Sequence, residues 1–132
     1  FGGDVAAVSN FDISIFTNYM CDSWLVSPAI NLSTASAPYL SFDNVVRYSG
    51  QGLELHVSTD YDGVSDPALQ GTWVDITSAV PNWDIASGDW TFVSSGNVDL
   101  SPYISTNTHI AFKYVGTNSD GATWEIDNII IQ

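Results

Sequence analysis

Apolar residues in this chain alternate with polar ones over short runs and nowhere follow a helical repeat. In residues 53–58 (LELHVS), Leu53, Leu55 and Val57 fall on one face of an extended segment and Glu54 and His56 on the other. A period of two marks a half-buried strand. Residues 109–115 put Ile110, Phe112 and Tyr114 on one face, and residues 39–48 do the same with Leu40 and Phe42. Shorter strands are predicted at residues 4–9, 24–26, 73–76, 90–94 and 97–100. Ile30 and Leu32 point inward from residues 28–37, whereas residues 10–22 lack a clear period and read as a loop. The turn Gly50-Gln51-Gly52 predicts that the segments on either side of it pair as a hairpin or meander. Strand signals recur about every ten to fifteen residues, with no repeat and no linker. The expectation is one domain over residues 1–132, an all-β antiparallel β-sandwich of jelly-roll type.

The last stretch, GATWEIDNIIIQ, breaks the alternation. Trp124 and Ile126 share one face, and Ile129 and Ile131 share a face of opposite parity. Both pairs enter one core only if the strand gains a residue between them, so a β-bulge is predicted at Asp127-Asn128.

Composition sharpens this picture. Five Trp, six Tyr and 45% hydrophobic residues describe a folding chain. Fifteen acidic residues face two basic ones, Arg47 and Lys113, for a net charge of −13. Glu54 and Glu125 are the only Glu, so the acids are chiefly Asp, which favours turns and caps over helices. Such a charge argues against nucleic acid or anionic membrane partners, since both need a basic footprint. It suits a cation-rich medium and calcium, with plain solubility as the competing explanation for most of the Asp residues. Cys21 is the only cysteine, so no intrachain disulfide forms, and no run reaches transmembrane length. A start at Phe1 points either to a removed leader or to a piece of a longer protein.

The run Trp24-Leu25-Val26-Ser27-Pro28-Ala29-Ile30-Asn31-Leu32 resembles the "WLISPAIDL" signature of choice-of-anchor J domains, relatives of the cleaved-adhesin, MAM-like domains. Leu40-Ser41-Phe42, the Ser58-Thr59-Asp60-Tyr61-Asp62-Gly63 loop ahead of Asp66-Pro67, and Val98-Asp99-Leu100 ahead of Tyr103 follow in order. Ile110-Ala111-Phe112-Lys113-Tyr114 and Thr123-Trp124-Glu125-Ile126-Asp127-Asn128-Ile129 complete a resemblance that covers nearly the whole chain. It implies a secreted or surface-exposed jelly-roll domain, calcium as a structural ligand, and adhesion or glycan binding. It also implies a further strand upstream of residues 5–9, which is missing here, or supplied by residues 1–4 or by another chain.

Candidate chemistry is sparse. Asp60, Asp62 and Asp66 present carboxylates at spacings that suit calcium, with a plain acidic turn as the alternative. Asp127 within an apolar run calls for a cation shared with Asp12 or Asp22, or for backbone N–H donors at the bulge. Glu125-Ile126-Asp127 matches the start of the Glu-Ile-Asp-x-x-Glu motif of laminarinase-type glycoside hydrolases. Ile130 stands where the second Glu belongs, so that enzymatic reading is disfavoured. His56 and His109 belong to no recognisable motif and read as surface histidines. Trp83 foremost, with Trp90, Tyr48 and Tyr61, is a candidate platform for sugar rings, while Trp24, Trp73 and Trp124 are assigned to the core. The resulting expectation is a non-catalytic, calcium-stabilised extracellular module that binds glycans or a surface protein. The alternative is a subunit that assembles with copies of itself into a filament or surface array by strand addition.

Overall fold

Short runs of β-branched and aromatic residues, cut by Gly, Pro and Asp, leave no stretch in which a helix can propagate. A computed structural model describes residues 5–86 and 88–132, and among these the regular structure is strand with two single 3-10 turns, Thr77–Ala79 and Ser101–Tyr103. The strands are β1 (Ala6–Val8), β2 (Phe11–Asp12), β3 (Thr17–Asn18), β4 (Cys21–Val26), β5 (Tyr39–Arg47) and β6 (Leu53–Ser58). They continue as β7 (Val74–Asp75), β8 (Val93–Ser94), β9 (Val98–Asp99), β10 (His109–Gly116) and β11 (Thr123–Ile131). One sheet runs β1-β11-β5, with β8 and β9 sharing the far side of β5; the other runs β4-β10-β6-β7. All pairs are antiparallel, and β2–β3 form a separate hairpin. No helix among the described residues is long and apolar enough to cross a membrane.

The two sheets face each other as a sandwich. Phe42 of β5 meets Phe112 of β10 edge-on with ring centroids 4.9 Å apart, which bridges the sheets at the middle of the core. Leu40, Leu55, Val57 and Tyr114 are buried around them, each from the inward parity of its strand. Trp83 lies against Phe42 at 5.5 Å and against Trp124 at 5.6 Å, so the irregular 77–89 segment lends its indole to this core.

Three expectations are corrected here. β5 and β6 do not pair as a hairpin, because the turn between them carries the chain from one sheet to the other. Trp24 and Trp73 lie on the outer face of the β4-β10-β6-β7 sheet, their rings tilted at 50° with centroids 5.4 Å apart, and of the three tryptophans assigned to the core Trp124 alone lies between the sheets. His56 and His109 are 8% and 2% exposed, so neither is a surface histidine. Their outward parity holds, but the indoles and Tyr61 roof that face. His56 stands 5.4 Å from Trp24, and His109 stands 5.2 Å from Tyr61. Alternation tells which side a residue faces, and a second aromatic layer decides whether that side meets water.

The predicted bulge is present. β11 pairs with β5 in register through Asp127↔Asp43 and resumes at Ile130↔Ser41, with Asn128 at φ 51°. Trp124 and Ile126 before the shift, and Ile131 after it, all pack on the same core. Among the described residues, β1 stops opposite Ile126, and residues 127–131 pair only with β5. The further strand expected from residues 1–4 lies outside the described residues. Because the bulge calls for a left-handed backbone, replacing Asn128 with Val destabilises the fold by about 1–2 kcal/mol more than replacing it with Gly. Urea titration of the two variants measures that difference, and equal stabilities would show that no such strain exists.

Candidate functional site

The outer face of the β1-β11-β5 sheet is polar where the other outer face is aromatic. On it, Ala7 of β1, Glu125 of β11 and Val45 of β5 form one row across the strands, and Thr123 pairs with Arg47 in the next. Four connecting segments rise around these rows and leave a cleft of about 700 Å3. The β2–β3 hairpin gives one wall with Phe11, Ile13 and Asn18, and Tyr48 and Ser49 after β5 give the other together with Trp90. Asp120 and Gly121, from the β10–β11 turn, close one end. That volume and mixture of aromatic walls with a few polar groups are those of a small-molecule site.

Each wall is held by identifiable contacts. Asn10, 6% exposed, shares its amide N–H donors among the carbonyls of Tyr19 (3.0 Å), Thr117 (2.7 Å) and Asp120 (3.2 Å). Its Oδ1 accepts from the Tyr114 hydroxyl at 3.2 Å, so one side chain ties the hairpin base to the β10–β11 turn. Gly116 and Gly121 are required there: an added Cβ would lie 2.7 Å from Asn10 Nδ2 at the first and 1.9 Å from Asn10 Oδ1 at the second. Beyond this anchor the hairpin has only two paired positions, and Ile13, Phe16 and Met20 are 74–79% exposed. On the opposite wall Tyr48 takes φ 70°, a left-handed conformation that costs a bulky side chain energy and is concentrated at functional positions. Arg47 Cζ stands 5.6 Å from the centres of both the Tyr48 and Trp90 rings, so the guanidinium braces the two aromatics by cation–π contact.

Glu125 occupies the floor. It is 5% exposed, lines the cleft, and receives no hydrogen bond from any described residue. Asp120 differs: it accepts from Thr117 Oγ1 at 2.5 Å and from Gln51 Nε2 at 3.4 Å.

The predicted site residues separate into three groups. Tyr48 and Trp90 are brought together at the cleft. Trp83 is not a platform, because its rings are in the core and its Nε1–H donates to the Thr77 carbonyl at 3.1 Å. Nor is Tyr61, which is buried between Trp73 and His109 with its hydroxyl bonded to the Ser65 carbonyl. The carboxylates form the third group, and they are dispersed. Asp60 accepts from the Thr72 N–H (2.6 Å), Thr72 Oγ1 (2.7 Å) and Ser58 Oγ (2.8 Å), and Asp62 from the N–H and hydroxyl of Ser65. Asp66 caps the Ala68 N–H, and Asp12 accepts from Ser14 at the hairpin tip. Asp22 is 4.0 Å from Lys113 Nζ, and Asp127 takes the Asn128 N–H at 2.7 Å, the bulge donor. Among the described residues, no three His, Cys, Asp or Glu side chains converge as a metal-binding group. Phe11, Ile13, Asn18, Asp120 and Thr123 were not anticipated, and Glu125 entered only through a broken hydrolase motif. The alternation in Phe11-Asp12-Ile13-Ser14-Ile15 was the available signal for the hairpin.

The chain is an all-β antiparallel sandwich with an outer-face cleft walled by aromatics and floored by a carboxylate. The chain belongs to the family described as a domain of unknown function, DUF5017, which matches residues 9–132. No curated protein shows a match to the chain.

Two outcomes follow from these contacts. Asn10→Ala leaves buried carbonyls without donors, so it lowers stability by about 1–3 kcal/mol and speeds proteolysis between residues 11 and 20; unchanged urea midpoint and cleavage rate would contradict the anchoring role. The Thr72 N–H, then the Thr72 hydroxyl and Ser58, hold the Asp60 carboxyl below its ordinary value of 3.8. A depressed folded-state value means the stabilisation is complete above the unfolded-state value and lost as pH falls through the folded one. The melting temperature of Asp60→Asn therefore lies below wild type near neutrality and declines less steeply below about pH 4. Parallel pH profiles of the two proteins would refute this.

Proposed function

We infer that the protein is a non-catalytic, extracellular glycan-binding module and that the cleft above Glu125 is its sugar site. The observation that carries this reading is the convergence of Phe11, Tyr48 and Trp90 on one cleft whose remaining lining is largely hydroxyl, amide and carboxylate groups. A pyranose ring has an apolar C–H face and a rim of hydroxyls. The first stacks on an aromatic plane, and the second donates to carboxylates and accepts from amides and N–H groups. Asn18, Ser49 and Thr123 can serve hydroxyls of either polarity, and Glu125 is acceptor-only when ionised. Bracing by Arg47 fixes the Tyr48 and Trp90 rings before a ligand arrives, which lowers the ordering cost of binding. The charge of −13 keeps such a module soluble and away from anionic surfaces. Glu125 and Asp127 share the outer face of β11, but Asp127 is engaged at the bulge, and Asp120, the other carboxylate lining the cleft, accepts from Thr117 and Gln51.

The contrast between two tryptophans tests the assignment. Trp90→Ala weakens glycan binding by about 30-fold, corresponding to about 2 kcal/mol for a central aromatic contact, with little change in melting temperature. Trp83→Ala lowers stability by about 3 kcal/mol, and its folded fraction binds as wild type. A glycan array probed with wild type and both variants reads the outcome. Binding that survives Trp90→Ala, or an array with no hits for wild type, would overturn the site.

A further inference from the structure

The floor of the cleft holds a carboxylate with no hydrogen-bond or ion-pair partner among the described residues. Glu125 is nineteen-twentieths buried at 5% exposure, yet its register neighbours on the outer face, Ala7 and Val45, have no side-chain donor. The ion pairs among the described residues are His56–Glu54 and Lys113–Asp22, both on the other sheet. Of the two bases in the chain, Lys113 therefore lies elsewhere, and Arg47 rests over the Tyr48 and Trp90 rings. The second carboxylate of the lining, Asp120, has its own donors. A carboxylate that lines a cleft and accepts no hydrogen bond from the described residues favours a ligand that brings both hydrogen-bond donors and positive charge.

We propose that the cleft selects glycans carrying an unacetylated amino sugar, with the sugar ammonium seated on Glu125 and the ring stacked against the aromatic wall. This inference rests on the glycan reading of the same cleft and deepens it. An ammonium has three donors and no acceptor, the complement of an ionised carboxylate. A sugar hydroxyl satisfies the hydrogen bond without compensating the charge. An N-acetyl group removes the charge and leaves a single N–H donor, so, like a hydroxyl, it offers a hydrogen bond without compensating the carboxylate charge. Arg47 already occupies the Tyr48 and Trp90 rings, so of the aromatic wall Phe11 is left to attract a cation, and the field of a chain at −13 steers one inward.

The test is calorimetric titration of the whole chain with three tetrasaccharides of matched linkage: glucosamine, N-acetylglucosamine and glucose. The glucosamine tetramer is expected to bind more than about tenfold tighter than either neutral tetramer. Added salt narrows the gap, and Glu125→Gln reduces it to within about twofold. Equal binding of charged and neutral tetramers overturns the charge selection and leaves the glycan site standing. No binding of any tetramer also overturns the charge selection, and the array with Trp90→Ala then decides the reading beneath it. Glucosamine binding that is unchanged in both Glu125→Gln and Trp90→Ala would mean general attraction to an acidic surface, and overturns the proposal. The wild-type comparison across the three sugars does not depend on any variant folding.

Discussion

The arrangement depends on the parity of β11. This strand is the middle of its sheet, with β1 on one side and β5 on the other, and it must feed the core from both of its halves. A plain strand cannot do so with Trp124 and Ile126 on one parity and Ile131 on the other; Ile129, expected to join Ile131, is 48% exposed. The extra residue at Asp127-Asn128 reconciles them, and its cost is reduced locally. Asn128 tolerates a positive φ, Asp127 accepts the exposed N–H, and the Asn128 amide donates to Asp43 at 2.9 Å. With the parity set, Glu125 has no choice of direction. Flanked by inward Trp124 and Ile126, it must stand on the outer face, under the hairpin and the Trp90 loop.

The two outer faces show what alternation does when something covers it. Above β4-β10-β6-β7, Trp24, Trp73 and Tyr61 form a second apolar layer that buries His56 and His109. Within that layer the Nδ1–H of His109 donates to the Ser27 carbonyl at 2.9 Å, and Glu54 pairs with His56 at 2.8 Å. Above β1-β11-β5 the cover is partial. The hairpin and the Trp90 loop close over Val45 and Glu125 but stand apart from one another, and the gap between them is the cleft. One sheet is sealed by its roof and the other is left with an open cleft.

Local pattern carried the fold a long way. The clean alternation of Leu53, Leu55 and Val57, and of Ile110, Phe112 and Tyr114, placed the two central strands of one sheet, and the parity break placed the bulge. Pairing was less legible. Gly50-Gln51-Gly52 looks like a hairpin turn, but partner choice was settled by the core that Phe42 and Phe112 share across the sheets, a non-local contact. For the same reason Trp83 was misjudged: a polar, irregular segment predicts exposure, and only its packing against Phe42 and Trp124 shows otherwise. Tyr48 and Trp90 were legible as candidate platform aromatics at the ends of predicted strands, residues 39–48 and 90–94. Their convergence with Phe11 was not, since it rests on Asn10 reaching the Thr117 and Asp120 carbonyls about a hundred positions away in sequence.

The central claim is that ligand enters between the hairpin and the Trp90 loop and meets Glu125. Two-dimensional amide NMR of the isotopically labelled chain, titrated with a bound oligosaccharide, addresses it most directly. The account predicts shift changes confined to the hairpin around Phe11 and Asn18, to Tyr48 and Ser49, to Trp90 with its indole N–H, and to residues 120–125. Changes centred instead on the Trp24–Trp73 face or the Asp60–Asp66 loop, with the cleft silent, would contradict it.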